Sequence, residues 1–189
     1  MSKHTNLING LSADIGPTNV ITDPISLSVY ECDGATLFKA LPDVVVFPDT
    51  TKDVSKIVKI ANEYQVPFVA RGSGTGLSGG ALPTNGGVVI AMNRMNRILE
   101  VDFENQQATI ETGVVNLLLS QATLNQGYHY APDPSSQQAC SIGGNIAENS
   151  GGPHTLKYGV TSNHILCCLL YTSDAADDTP CVDLGGRRI

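Results

Sequence analysis

A strand, a helix and a second strand can be recognised in one short stretch of this sequence, residues 41–70, and they allow few folds. Leu41 to Phe47 is apolar and is closed by Pro48, which is typical of a short buried strand. Asp49 to Thr51 offers N-cap oxygens, and the apolar spacing that follows predicts a helix to about Gln65. The apolar positions of that helix are Val54, Ile57, Val58 and Ala61. Val66 to Ala70 is a second strand, so we expect a βαβ unit with parallel strands.

The next part of the chain has a different pattern, with strands that follow one another closely. Gly87 to Met92 predicts a strand, and Arg97 to Asp102 with Gln107 to Glu111 predicts a hairpin around Asn105 and Gln106. This pattern predicts an α+β fold with a small parallel βαβ lobe and a mainly antiparallel lobe.

Three further elements are expected after the hairpin. A helix that starts near Val115 should end before Gly127, because glycine is common just past a helix end. Tyr128 to Ala131 is expected to form a short strand, and Ser141 to Asn149 a short helix with a glycine-rich start.

Charge and hydropathy exclude several function classes. The net charge is −7, so the chain has no basic stripe for nonspecific nucleic-acid binding. No run of about eighteen apolar residues could form a transmembrane segment. Residues 1–10 lack the apolar core of a secretory signal, and only Cys32 and Cys140 lie in the body of the chain. These observations favour a cytoplasmic protein.

Arg71 to Gly80 is a glycine-rich loop placed directly after a predicted strand. Successive backbone N–H groups in such a loop can converge on an anion, and glycine lets a phosphate approach without a Cβ clash. Ser73, Thr75 and Ser78 add hydroxyl donors. The loop therefore predicts a pyrophosphate cradle, and the alternative is a plain surface loop.

Two other phosphate-binding patterns fit this loop less well. Gly74 to Gly79 matches the G-x-G-x-x-G fingerprint of Rossmann folds, which requires a helix to open at the third glycine. Here Pro83, an Asn85–Gly86 turn and a predicted strand follow instead. The nucleotide-triphosphate P-loop requires a lysine where Gly80 stands.

A second glycine-rich segment begins after the rigid turn Pro132 to Ser136. Small residues and amides dominate Ser141 to Gly152, so this backbone could lie flat against a planar ligand. A short helix closed by a Gly-Gly turn is the alternative. His154 and His164 are expected to be ordinary polar residues, and no metal site is predicted because the cysteine and histidine spacing matches no zinc pattern.

Five motifs in this order resemble the FAD-linked oxidases of the vanillyl-alcohol-oxidase superfamily, which have a PCMH-type FAD-binding domain. They are Pro42 to Pro48, Arg71 to Gly76, Pro132 to Ser136, Ser141 to Asn145, and Lys157 to Gly159. Tyr30 to Gly34, Gly74 to Leu82 and Tyr130 to Ser136 are most similar to the FAD-binding subunits of glycolate oxidases. D-lactate and D-2-hydroxyglutarate dehydrogenases share most of these motifs.

The resemblance implies FAD as the cofactor and a set of residues that contact it. Gly72 to Leu77 would hold the pyrophosphate, and the later motifs would line the flavin. The complete set is Arg71, Gly72, Ser73, Gly74, Thr75, Gly76, Leu77, Pro132, Asp133, Ser136, Gly143, Gly144, Asn145, Asn149, Ser150, Gly151, Tyr158, Gly159 and Val160. Some relatives bind flavin covalently through a histidine in the first loop. Thr75 stands at that place, so non-covalent FAD is expected.

The chemistry that the resemblance implies is oxidation of a 2-hydroxy acid to the 2-oxo acid. The catalytic base and the carboxylate-binding arginine would come from a cap domain and a C-terminal domain that we expect to be absent here, so the catalytic residues are unknown. The implied partners are a small 2-hydroxy acid and other oxidase subunits or an electron acceptor, through which the chain would associate with the inner face of a membrane. The alternatives are an FAD-binding fragment without activity, a D-2-hydroxyglutarate or D-lactate dehydrogenase, and an NADPH-dependent reductase of the same fold.

The end of the chain departs from the family pattern. Residues 1–27 are expected to be an N-terminal extension, and residues 28–166 an incomplete FAD-binding domain. Residues 167–189 resemble translated sequencing-adapter DNA, and we expect this tail not to be native protein.

Overall fold

A computed structural model describes residues 3–169 and 181–183 of the chain, and these residues form two compact units. Unit 1 extends to Arg94 and unit 2 begins at Met95. The helices of unit 1 are α1 (Lys3–Ile15), α2 (Pro24–Leu27) and α3 (Thr51–Glu63), with 3₁₀ turns at Pro17–Asn19, Ser28–Tyr30 and Met92–Arg94. Its strands are β1 (Val20–Ile21), β2 (Val44–Val46), β3 (Phe68–Arg71) and β4 (Val88–Ala91).

The sheet of unit 1 has the strand order β1-β2-β4-β3. β2 and β3 both pair parallel to β4, with Val45 and Val69 opposite Val89, so the predicted parallel relation of β2 and β3 is confirmed. The two strands are not neighbours, because β4 lies between them. Every residue of β2 and β4 is buried, which explains why these strands are continuous apolar runs in the sequence.

Helix α3 begins where the sequence predicts. Thr50 Oγ1 accepts a hydrogen bond from the Asp53 backbone N–H at 3.2 Å, and Asp53 Oδ2 accepts one from the Thr50 backbone N–H at 3.0 Å. This reciprocal capping box satisfies two amides that the first turn leaves without helical partners. The helix ends at Glu63, two residues before the predicted end, and Gln65 adopts a left-handed conformation with φ 50°.

Helix α1 is an element that the sequence analysis did not predict. Leu7 and Leu11 are fully buried, although asparagine, serine and glycine surround them. A Cβ built on Gly10 would lie 3.7 Å from the Ile60 side chain, so this face of α1 lies close against α3. The N-terminal segment therefore contributes to the hydrophobic core of unit 1.

Unit 2 contains the predicted hairpin and a set of short helices. Its strands are β5 (Ile98–Asp102), β6 (Gln107–Ile110), β7 (Cys167–Leu169) and β8 (Cys181–Asp183), and its helices are α4 (Asn116–Thr123), α5 (Ile142–Glu148) and α6 (Thr155–Tyr158). 3₁₀ turns lie at Leu124–Gln126 and Thr161–His164. β5 and β6 pair antiparallel as expected, and Val114, Leu119 and Ile142 form a buried cluster.

Two predictions for unit 2 differ in outcome. Gly127 ends the turn after α4 in the left-handed conformation, as the sequence predicts. The predicted strand Tyr128–Ala131 is wrong: the Tyr130 backbone bonds to the side chain of α4 rather than to a strand. Its N–H donates to Ser120 Oγ at 3.0 Å, and its carbonyl accepts from the same hydroxyl at 3.3 Å.

The predicted non-native tail lies mostly outside the described residues. Its described parts, β7 and β8, pair antiparallel, and Cys167 is disulfide-bonded. Residues 170–180 and 184–189 lie outside what the structure describes. In the body of the chain, Cys32 and Cys140 are free thiols.

Candidate functional site

The glycine-rich loop leaves the carboxyl end of β3 in unit 1. Gly74 and Gly79 have φ values of +70° and +80°, a region that favours glycine because a Cβ clashes there. The next regular strand or helix after the loop is β4, so no helix opens at the third glycine. The loop is therefore not the phosphate-binding turn of a Rossmann fold, as the sequence analysis concluded.

The backbone amides of this loop have an unusual property. In the part of the chain that the structure describes, no N–H group from Gly72 to Leu77 donates a hydrogen bond to protein. Residues 72–76 are nevertheless half-buried. Backbone N–H groups that are shielded from water usually have a partner, so the unused donors of this stretch are available to an acceptor such as an anion.

The side chain of Arg71 supports the start of the loop. Arg71 is 8% exposed, and its Nη2 donates to the Cys32 carbonyl at 2.8 Å. Its guanidinium carbon lies 5.6 Å from the centre of the Tyr30 ring. A Cβ on Gly74 would overlap this guanidinium, so a larger residue there would displace the Arg71 side chain. Arg71 Nη1 is buried and makes no hydrogen bond.

The segment that contains Asp33 supports the end of the loop. Asp33 is 5% exposed; its Oδ2 accepts from the Gly79 N–H at 2.8 Å and its Oδ1 from the Ala35 N–H at 2.9 Å. The next residue, Gly34, donates its N–H to the Gly76 carbonyl at 2.9 Å. A Cβ on Gly34 would lie 2.8 Å from the Thr75 carbonyl oxygen, closer than real contacts allow.

One group of predicted site residues in unit 2 lies at the start of helix α5. Ser141 Oγ accepts from the Gly144 N–H at 3.4 Å, and the Gly143 N–H donates to the Thr112 carbonyl at 2.8 Å. A Cβ on Gly143 would lie 2.7 Å from Thr112 Cβ, so glycine is needed for this approach. Asn145 is 3% exposed, and its Nδ2 is buried without a hydrogen-bond partner.

The turn Pro132 to Ser136 packs within the same unit. Asn116 Nδ2 donates to the Pro132 carbonyl at 3.1 Å, and the Ser136 carbonyl accepts from the Cys140 N–H at 2.8 Å. Gly152 approaches the Asp133 carbonyl so closely that a Cβ would overlap it. These contacts fix the turn beside the Gly151–Gly152 pair.

The predicted site residues Asn149, Ser150 and Val160 are joined by hydrogen bonds to the turn at residues 161–164. Asn149 Oδ1 accepts from the Ser162 N–H at 3.0 Å, and the Ser150 carbonyl accepts from Thr161 Oγ1 at 2.7 Å. The Val160 N–H donates to Asn163 Oδ1 at 3.0 Å. Segments 149–151 and 158–160 are therefore held together by the turn at residues 161–164.

A cavity of about 270 Å³ in unit 2 includes residues that the sequence analysis did not assign. It is lined in part by Ser120, His129, Tyr130, Asp133, His154 and Tyr158. Burial alone would raise the pKa of Asp133, but hydrogen bonds from the His154 side chain and backbone outweigh it and hold that pKa below its usual value. Burial raises the pKa of the Tyr130 hydroxyl, which makes no hydrogen bond.

The structure thus brings the predicted residues together in two groups, one in each unit. Arg71 to Leu77 lie in unit 1, and the others, from Pro132 to Val160, lie in unit 2. Neither the loop-supporting role of Asp33 nor the pairing of His154 with Asp133 was predicted from the sequence. Only the tertiary fold reveals either contact, because the partners lie 46 and 21 residues apart.

The part of the chain at residues 3–169 and 181–183 contains no three His, Cys, Asp or Glu side chains that cluster as a metal site would require. None of its helices has the length and apolar character needed to span a bilayer.

The sequence comparisons give a consistent family. The family described as "FAD binding domain" matches residues 42–175. Glycolate oxidase subunit GlcD of Escherichia coli (strain K12) is 42% identical over 170 residues, which are 90% of this chain and 34% of that protein. A D-lactate dehydrogenase of Anaerostipes hadrus is 39% identical over 153 residues, 80% of this chain and 32% of that protein. The chain thus spans about a third of the length of these curated relatives.

The fold comparison agrees with the sequence comparisons. A solved structure of alkyldihydroxyacetonephosphate synthase matches with a TM-score of 0.84 and 25% identity, covering 96% of this chain and 38% of that one. The predicted α+β fold of a PCMH-type FAD-binding domain is confirmed.

Proposed function

The chain belongs to the FAD-binding-domain family, and from that premise we propose that it is the FAD-binding part of a flavoenzyme that oxidises a 2-hydroxy acid. FAD is the cofactor of this family. The similarity to proteins named glycolate oxidase subunit and D-lactate dehydrogenase supports a substrate of the glycolate or D-lactate type. The observation that carries the proposal is the run of unpartnered amides from Gly72 to Leu77 beside the buried Arg71.

The loop of unit 1 fits the diphosphate of FAD. A diphosphate is an anion with many acceptor oxygens, and residues 72–77 present donors that protein does not use. The positive charge of Arg71 favours an anion nearby, and its Nη1 makes no protein hydrogen bond. We therefore assign Arg71 to Leu77 to the diphosphate.

The second group of residues fits the flavin ring. Its edge carries acceptor atoms, and the buried Asn145 Nδ2 is a donor without a protein partner. The small residues Gly143, Gly144 and Gly151 let backbone approach a flat ring. We assign to the flavin Pro132, Asp133, Ser136, Gly143, Gly144, Asn145, Asn149, Ser150, Gly151, Tyr158, Gly159 and Val160.

We propose that FAD is held without a covalent bond. Thr75 occupies the place where some relatives carry a flavin-linked histidine, and its hydroxyl can donate only a hydrogen bond. Denaturation should then release all of the flavin into solution.

Bound FAD supplies the chemistry, because it accepts the hydrogen and electron pair removed from the α-carbon of the acid. The residues of this chain bind and orient that group. No catalytic base and no carboxylate-binding arginine is assigned here, and Arg71, His154 and His164 are not candidates for these roles.

We propose that residues 28–166 belong to an FAD-binding domain, that residues 1–27 are an N-terminal extension that packs into the core of unit 1, and that residues 167–189 are not native. We also propose that the protein works in the cytoplasm with other oxidase subunits or an electron acceptor, at the inner face of a membrane where those partners reside. The word "subunit" in the name of the E. coli relative supports such partners.

The test is flavin retention by the complete chain. The chain would be mixed with FAD and desalted, and the visible absorbance of the protein fraction would be recorded before and after denaturation. We expect a bound flavin spectrum that denaturation releases. A folded chain that retains no flavin would contradict the proposal.

A second step separates the alternatives. Glycolate, D-lactate and D-2-hydroxyglutarate would each be added anaerobically to the flavin-loaded chain, and NADPH would be added to another portion. Bleaching of the flavin by one of the acids identifies the substrate class, and bleaching by NADPH favours the reductase alternative. Retained flavin that no compound bleaches favours an FAD-binding fragment without activity of its own.

A further inference from the structure

The side chains of Arg71 and Asp33 fix the glycine-rich loop near its two ends. Arg71 supports the start, through the Cys32 carbonyl and the Tyr30 ring. Asp33 supports the end, through the Gly79 amide. Both supports therefore involve the segment Tyr30 to Gly34, which lies about 40 residues earlier in the chain.

Asp33 is suited to this support because it is a buried acceptor with two oxygens. Each oxygen accepts one backbone N–H, from Gly79 at 2.8 Å and from Ala35 at 2.9 Å. An asparagine of the same shape offers only one acceptor oxygen and would point an NH₂ group at the other amide. The requirement at this position is therefore for a carboxylate and not only for a polar side chain of this size.

Arg71 supports the loop by geometry as well as by charge. Its guanidinium lies against Gly74, donates to a carbonyl and stacks near an aromatic ring. Lysine keeps the positive charge but lacks the planar fork that makes these contacts together. The bond from the Gly34 N–H to the Gly76 carbonyl joins the same segment to the middle of the loop.

We propose that Asp33 and Arg71 are positioning residues that hold the loop in the shape that leaves the amides of Gly72 to Leu77 free for a diphosphate. This inference rests on the proposed function for its ligand. It goes beyond that function because Asp33 lies on another segment and is not among the residues assigned to FAD. Its role is to hold the loop in the conformation that can bind the diphosphate.

The test compares the complete chain with Asp33→Asn, Arg71→Lys and the control Asp23→Asn. Asp23 also accepts a backbone N–H, from Ser26 at 2.9 Å, but it caps helix α2 and does not touch the loop. Affinity would be measured for FAD and for riboflavin, which has no phosphate. We expect Asp33→Asn to weaken FAD binding by about five- to a hundredfold, because binding must then restore a loop shape that leaves a buried donor unsatisfied. Riboflavin binding should not change.

Arg71→Lys separates positioning from charge. If Arg71 acts by position, the lysine variant loses FAD affinity although the charge remains, riboflavin affinity is unchanged, and the Gly34 amide exchanges faster. A loss of FAD affinity without faster Gly34 exchange would mean that Arg71 only contacts the diphosphate. Retention of full FAD affinity by Arg71→Lys and Asp33→Asn would overturn the inference, and so would an equal loss of FAD and riboflavin binding. If circular dichroism shows that Asp33→Asn does not fold, Arg71→Lys decides, since it leaves both Asp33 bonds intact.

Amide hydrogen exchange tests the same inference without any ligand. The Gly34 amide, which donates to Gly76, should exchange faster in both loop variants, and the amides of the β5–β6 hairpin should not change. Unchanged Gly34 exchange would overturn the inference even in a chain that retains no flavin. Wild-type protein that retains no flavin would contradict the proposed function, and exchange alone would then decide the role of Asp33 and Arg71.

Discussion

His154 Nδ1 lies 2.6 Å from Asp133 Oδ2, and the His154 backbone N–H lies 3.4 Å from the other oxygen of the same carboxylate. The pair joins the Pro132–Ser136 turn to the start of helix α6, and Gly152 passes close to the Asp133 carbonyl. His154 is largely exposed, so the pairing stays accessible to solvent protons. Although burial opposes it, the hydrogen bonds from His154 favour the ionised form of the Asp133 carboxylate.

Replacing His154 with alanine should raise the pKa of Asp133. Burial raises this pKa, and the bonds from His154 lower it by more, so loss of the side-chain bond shifts it upward. A carbon-detected NMR titration of the Asp133 carboxylate would measure the shift. His164→Ala is the control, because His164 bonds to the Tyr158 carbonyl and not to Asp133. An unchanged Asp133 titration in His154→Ala would contradict the expectation.

Two glycines with positive φ should respond differently to alanine. Gly74 and Gly127 have φ values of +70° and +80°, so alanine at either position costs about 1 kcal/mol of backbone strain. A Cβ on Gly127 would have no neighbour within 4 Å, but a Cβ on Gly74 would overlap the Arg71 guanidinium. We expect Gly127→Ala to lose stability in urea unfolding and to retain FAD after desalting, and Gly74→Ala to lose the flavin. Flavin loss by both variants would show that flavin retention depends on the stability of the folded chain and not on the conformation of the glycine-rich loop.

The elements that local patterns predicted correctly are those whose stabilising contacts are local or periodic. Helix α3 has its Thr50–Asp53 capping box and one apolar face, and both can be recognised from the residue order. Helix α1 escaped prediction because asparagine, serine and Gly10 weaken its local preference, and packing against α3 stabilises it instead. The strand predicted near Tyr130 was wrong because the Ser120 hydroxyl satisfies its backbone in place of a neighbouring strand.

The same distinction applies to the candidate site. The position of the glycine-rich loop followed from its spacing after a strand, but its supports at Asp33 and Arg71 depend on contacts 46 and 39 residues away. Such contacts leave no periodic signal in one sequence. The assignment of individual residues to parts of FAD stays a prediction.

Acid should reduce the contribution of Glu111 to stability. Glu111 is 8% exposed and accepts from the Arg97 backbone at 2.8 Å, from Nε at 3.1 Å and from Nη2 at 2.6 Å. The Arg97 side-chain hydrogen bonds hold the pKa of Glu111 below its ordinary value of 4.5. Because the pKa of Glu111 is lower in the folded state than in the unfolded state, its ionised form stabilises the fold above pH 4.5. This stabilisation is lost as the pH falls through the pKa of Glu111 in the folded state.

Glu111→Gln should therefore be less stable than wild type at pH 7, and this difference should shrink as the pH is lowered below 4.5. Urea unfolding at several pH values, followed by amide signals of the β5–β6 hairpin, would measure it. Glu104→Gln, at an exposed position in the hairpin turn, is the control. A stability difference that does not vary with pH would show that Glu111 acts through packing and not through its charge.

Removing the Tyr130 hydroxyl should cost no stability. The hydroxyl is buried without a hydrogen-bond partner, and burial raises its pKa because the phenolate would be poorly solvated. A buried unsatisfied polar group costs about 1–3 kcal/mol, so Tyr130→Phe is expected to leave the free energy of unfolding unchanged or to raise it. Tyr128→Phe is the matched control, because Tyr128 is 37% exposed and its hydroxyl can reach water. Urea unfolding measures both variants, and a clear loss of stability only in Tyr130→Phe would mean that the hydroxyl has a partner, such as an ordered water, which phenylalanine cannot bind.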